Sequence, residues 1–154
     1  MLKGVHHIHY LIRNRDEMVA YMERAFGMKP DRLLEDDGGQ WKEVQYFVGP
    51  TILKMTEHAP GTKHAKLVEE HGPGVHHVYW GVENITEATR QLKARGTKLL
   101  GTEEQNFRDG FRSAAKSPHG YYEAYIDPQD SLGVEFRIVH APKTMSINIA
   151  RVPK

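Results

Sequence analysis

The sequence predicts an α+β fold made of two tandem β-α-β-β-β modules. Two observations carry this. The segment Val5-His6-His7-Ile8-His9-Tyr10-Leu11-Ile12 returns seventy residues later as Val75-His76-His77-Val78-Tyr79-Trp80-Gly81-Val82. The closing segments match too: Thr51-Ile52-Leu53-Lys54-Met55-Thr56-Glu57-His58-Ala59-Pro60 parallels Gly133-Val134-Glu135-Phe136-Arg137-Ile138-Val139-His140-Ala141-Pro142. A recurrence at a fixed period means one supersecondary unit used twice.

Each element follows in order. The opening segments are rich in β-branched and aromatic residues, the composition of strands. A polar turn and a helical pattern come next. In the first copy Met18, Tyr21, Met22, Ala25 and Phe26 recur at helical spacing before Gly27; in the second Ile85, Ala88 and Leu92 do so before Gly96. Asp16 and Thr86 stand in the first turns, where such groups help. Strand-like runs follow at 32–36 and 41–48, with Gly38-Gly39 as the hairpin turn, and at 98–100 and 121–126 in the second copy. The expected organisation is one domain, 1–154: module one at about 4–60, a linker at 61–74 that has room for a short helix at 63–71, module two at about 75–142, and a C-terminal extension at 143–154.

The composition is that of a globular chain, with 39% hydrophobic and 27% charged residues among 154, enough for one core. Lys and Arg total 21 and Asp and Glu 20, so no net field would draw nucleic acid or an anionic membrane. No apolar run of membrane-spanning length occurs, and no leader is expected. Cysteine is absent, which excludes disulfides and thiolate metal sites and suits a cytoplasmic setting. Histidine is abundant, with ten, and imidazole is the commonest metal ligand and a natural acid–base group.

Two modules of this size, each opening on a His-bearing strand, resemble the vicinal oxygen chelate superfamily: glyoxalase I, methylmalonyl-CoA epimerases, extradiol dioxygenases and the fosfomycin or bleomycin resistance proteins. The resemblance covers residues 4 to 140. Its most specific stretch is Ala65-Lys66-Leu67-Val68-Glu69-Glu70-His71-Gly72-Pro73-Gly74-Val75-His76-His77-Val78, which looks like the helix, glycine turn and His-His strand of the epimerases. It implies a curved, cupped mixed sheet around a metal site, and a homodimer.

On that resemblance the metal ligands are His7, His77 and Glu135. Alternation along a strand puts His9 with His7 and Tyr79 with His77, as pocket residues. The family's fourth ligand, closing module one, falls on Leu53 by the internal match and on Lys54 by the family match; neither binds a divalent cation well. The stretch Asp130-Ser131-Leu132-Gly133-Val134 likewise resembles an epimerase segment whose ligand Glu falls at Arg137, leaving Glu135 as the usable carboxylate. Two His and one carboxylate are the set of non-haem Fe(II) oxygenases. The resulting expectation is an extradiol-type dioxygenase using Fe(II), with Zn, Co, Ni or Mn as other metals, a catechol-like small-molecule substrate and O₂. His64, Tyr125 and His119 are then the catalytic candidates, with Tyr122 or Tyr125 facing the pocket. The alternative is a metal-dependent epimerase, isomerase or lyase. That reading needs a base from module one, sought at 35–38 with the family position nearest Gly38. A third reading is a metal-free ligand-binding resistance protein.

Overall fold

The computed structural model describes residues 1–100 and 123–141 and, as backbone alone, 107–108 and 111–112. The elements run β1 (Leu2–Ile12), α1 (Arg15–Phe26), β2 (Arg32–Glu35), β3 (Trp41–Val48), β4 (Thr51–His58), α2 (Lys63–His71), β5 (Gly74–Val82), α3 (Ile85–Ala94), β6 (Leu99–Leu100), β7 (Phe107–Arg108), β8 (Phe111–Arg112), β9 (Glu123–Ile126) and β10 (Arg137–His140). The β-α-β-β-β order holds in both copies, and the second adds the short β7–β8 hairpin. No helix among the described residues is long and apolar enough to cross a membrane. His119, Tyr122 and the extension at 143–154 lie outside the described residues.

The chain divides into two compact units. The first is residues 7–76; the second joins residues 1–6 to everything from 77 onward. The division falls inside each His-His pair, so β1 and β5 each supply residues to both units.

In the first unit β1 and β4 are parallel, β4 and β3 antiparallel, and β3 and β2 antiparallel. The β2–β3 hairpin turns where the glycine pair predicts: Gly39 takes φ 68 and its N–H donates to the Asp36 carbonyl. Helix α1 starts at Asn14, whose side chain accepts the Glu17 N–H at 2.9 Å, and stops at left-handed Gly27. The α1-facing sheet surface builds the core, in which Ile12, Met22, Val44, Tyr46 and Met55 are buried together.

The second unit repeats the plan. β5 and β10 are parallel, β10 and β9 antiparallel, and β9 pairs along its length with both β6 and β8. Asn84, seventy residues after Asn14, caps α3 by accepting the Glu87 N–H at 3.0 Å. The caps are therefore Asn14 and Asn84, set just ahead of the first turns that hold Asp16 and Thr86. Val82, Ile85, Ala88, Ala124 and Ile138 form the core under α3. One boundary differs from expectation. The closing strand begins only at Arg137, because 128–133 is spent in turns, with Leu132 and Gly133 at positive φ. Glu135 therefore precedes the strand instead of lying in it.

Candidate functional site

In each unit the helix covers one sheet face, and the face turned away from the helix holds the polar groups. Period-two alternation assigns them in the first unit. Val44 and Tyr46 on β3, and Leu53 and Met55 on β4, go to the helical core. Glu43 and Gln45 on β3, Lys54 and Thr56 on β4, and His7 and His9 on β1 therefore share the opposite face. The register agrees: His9 pairs with Lys54, Gln45 with Lys54, and Glu43 with Thr56. A polar sheet face would ordinarily be solvated, yet Glu43 is 0% exposed, Lys54 and His7 2%, Gln45 and Thr56 3%.

Burying so much polarity is costly unless it is paired, and here it is. The Glu43 carboxylate accepts from Gln45 Nε2 at 2.6 Å and from Thr56 Oγ1 at 3.0 Å, and stands 3.6 Å from the Lys54 ammonium. A hydroxyl has one proton, and that of Thr56 goes to Glu43. Its oxygen is then the acceptor for His9 Nε2 at 2.8 Å, which fixes the proton of His9 on Nε2. Gln45 Oε1 is buried without a hydrogen-bond partner among the described residues.

His64, on the first turn of α2, stacks on His58 at 4.5 Å between ring centroids and meets His76 edge-on at 5.2 Å; His76 in turn meets His9 at 5.8 Å. The sequence singled out His64 and His9 separately; the fold gives His64 two imidazole neighbours, His58 and His76, and His76 leads on to His9 and the Glu43 network. Burial, His64 and His76 together push the pKa of His58 down to about 4.

In the second unit Tyr79, Arg137 and Tyr125 lie side by side across β5, β10 and β9, with Glu123 two residues along β9. Tyr125 thus faces the same side as Tyr79. Both phenols donate to Glu123 Oε2, Tyr125 at 2.6 Å and Tyr79 at 2.9 Å. Burial first, and the Glu123 charge next, raise both phenol pKa values, so both remain O–H donors. The Arg137 guanidinium lies over the Tyr125 ring at 4.9 Å, reaches His77 Nε2 and the Tyr79 hydroxyl at 3.4 Å each, and binds the Glu135 carboxylate through Nε and Nη2.

Of the expected metal ligands, His7 belongs to the first unit and His77 and Glu135 to the second; both histidines are buried. His77 and Glu135 both face the Arg137 guanidinium, a permanent cation. Among the described residues no three His, Asp or Glu side chains cluster closely enough to hold a metal ion. With Arg137 seated on both, the pair His77 and Glu135 does not fit a dication.

The family described as the Glyoxalase/Bleomycin resistance protein/Dioxygenase superfamily matches residues 6–115. The chain belongs to that superfamily. Among solved structures, it is similar to the methylmalonyl-CoA epimerase of Streptomyces coelicolor in complex with 2-nitronate-propionyl-CoA, at 17% identity and TM-score 0.69, covering 92% of this chain and 99% of that one. The methylmalonyl-CoA epimerase of Mycobacterium tuberculosis matches at 19% identity and TM-score 0.69, covering 93% and 91%. A further methylmalonyl-CoA epimerase matches at 21% identity and TM-score 0.72, covering 93% and 98%. No curated protein sequence matches. At these identities the likeness is one of fold.

Glu43 is the residue that sequence reasoning missed. The search for a module-one base stopped at 35–38, on the β2–β3 turn, whereas the buried carboxylate stands on the strand that follows.

Proposed function

We propose that this protein is an isomerase of the epimerase type, moving a proton at a carbon next to the carbonyl of an acyl thioester, with Glu43 as the base. One observation carries the reading: a fully buried carboxylate on β3, supplied with two hydrogen-bond donors and a counter-ion. The case against an epimerase was the lack of a base in module one, and Glu43 removes it. The neighbours' acyl-CoA ligands support the substrate class.

Hydrogen exchange at the α-carbon balances within the substrate and this one side chain; inversion also requires a proton donor on the opposite face of the enolate. The C–H bond breaks, its proton goes to Glu43, and its electron pair moves onto the carbonyl oxygen as an enolate. Return of a proton to carbon completes the turnover without any redox partner. Gln45 and Thr56 hold the carboxylate in place by donating to it, and His9 holds Thr56. The test is wash-in of deuterium from D₂O at the α-carbon of methylmalonyl-CoA and other 2-substituted acyl-CoA thioesters. Wash-in by the wild type and its loss in Glu43→Gln is the expected result.

A second reading, the iron dioxygenase, keeps one observation in its favour: His7 and His77 are both buried at matched repeat positions. O₂ uptake with Fe(II) and a catechol, without deuterium wash-in on any thioester, would select it over the isomerase.

A further inference from the structure

We infer that this chain works with its own fixed cations in place of its family's divalent metal: Lys54 stabilises the anionic oxygen of the substrate, and Arg137 bars a metal from His77 and Glu135. The part concerning the anionic oxygen rests on the isomerase reading; the part concerning the metal does not.

Register is the first argument. His9 pairs with Lys54 in the first unit and Tyr79 with Arg137 in the second, and His9 and Tyr79 are repeat partners seventy residues apart. Lys54 and Arg137 therefore occupy equivalent positions. They are also the two positions at which the family resemblance places a metal-binding carboxylate or amide. A cation has replaced a ligand in both copies, and a single loss would not explain a paired replacement.

Their surroundings give the second argument. Lys54 is 2% exposed and has the Glu43 carboxylate at 3.6 Å. Arg137 meets both of the metal ligands expected in its unit, so a dication reaching His77 and Glu135 would have to displace a guanidinium held by both.

The chemistry closes the case. In the resting state Glu43 and Lys54 form a neutral pair. When Glu43 takes the substrate proton it loses its charge, and Lys54 keeps its own. The pair turns net positive in the same step that makes the substrate oxygen negative. A metal ion would supply that positive charge permanently; here it is uncovered by the reaction itself, and only when needed.

Calorimetric titration of the chelator-treated full chain with Co²⁺, Ni²⁺ and Zn²⁺ tests this without any substrate. The expected result is no metal binding that depends on His77: the wild type shows none, or shows only binding that survives in His77→Ala and so lies elsewhere. Arg137→Glu should then gain Co²⁺ binding that depends on His77, with a thermal midpoint that rises with added metal. One equivalent bound by the wild type and lost in His77→Ala would overturn the inference. So would a folded Arg137→Glu variant that takes up no metal at millimolar concentration. On the catalytic side, chelation should leave deuterium wash-in unchanged, and Lys54→Gln should slow it about 10²- to 10³-fold, with Lys54→Arg recovering part of the rate. Chelation that abolishes wash-in overturns the inference, whereas absence of wash-in under all conditions sinks the isomerase reading and leaves the metal titration to stand alone.

Discussion

In the first unit the buried carboxylate, Glu43, is met by an ammonium, an amide and a hydroxyl. In the second, Glu123 is met by two phenols, and the unit's guanidinium turns to Glu135 instead. The two carboxylates correspond. Glu43 pairs with Thr56, which pairs with Leu11; Glu123 pairs with Val139, which pairs with Gly81, seventy residues after Leu11. One backbone frame has thus kept a carboxylate and a cation in each copy while changing what surrounds them. In the first unit the carboxylate's charge is matched by an ammonium. In the second the carboxylate is the shared acceptor of two tyrosine hydroxyls.

That contrast can be broken in measurable steps. Glu43→Gln is expected to lower deuterium wash-in by about 10²- to 10⁴-fold, the range for a lost general base, with circular dichroism unchanged. A similar loss in Glu123→Gln would erase the distinction between the units. Removing the first unit's cation in Lys54→Met leaves Glu43 buried without its counter-ion and should cost about 3 kcal/mol in urea unfolding. In the second unit Arg137→Met frees a carboxylate that is two-fifths exposed, and about 1 kcal/mol is expected.

Acid should act mainly on the first unit. The pKa of His58 lies at about 4 in the fold, against an ordinary value of 6.5. Its depressed value means that the unfolded chain binds this proton first, so stability is full above pH 6.5 and falls between 6.5 and 4. The loss is of order 2 kcal/mol once partial solvent screening is allowed for. His58→Asn should flatten the stability profile in that window, and a profile as steep as wild type would remove His58 from the account. The smallest effect belongs to what the units share. Asn14→Ala and Asn84→Ala should each cost about 1 kcal/mol, equal within error, since each removes one cap of the same geometry.

The architecture was legible because the repeat wrote it twice: the His-His strands, the helical spacing that ends at Gly27 and the Gly38-Gly39 hairpin were all readable. Glu43 was not, because Trp41–Val48 mixes polar and apolar residues too closely for one strand to show its faces. The signal lay in two strands taken together. Val44 and Tyr46 alternate with Glu43 and Gln45, and Leu53 and Met55 alternate with Lys54 and Thr56, so two antiparallel neighbours turn their polar sets to one side. The equivalence of Lys54 and Arg137 was missed by one residue. Matching the two Ala-Pro ends sets Glu135 against Leu53, whereas the strand register sets Arg137 against Lys54. The hydrogen-bonded ladder agrees with the family match, which set both ligand positions on Lys54 and Arg137.

Gly81 bears on how such a chain came to be. A Cβ there would stand 3.2 Å from that of Ala141, and next nearest are the Gly4 carbonyl and His6. The first six residues thus pack on the later copy, while the opening residues of β5 are counted with the earlier one. Each half of the gene encodes a piece of the other half's unit. A cut in the linker would therefore part residues 1–6 from the unit they pack in, and residues 74–76 from theirs.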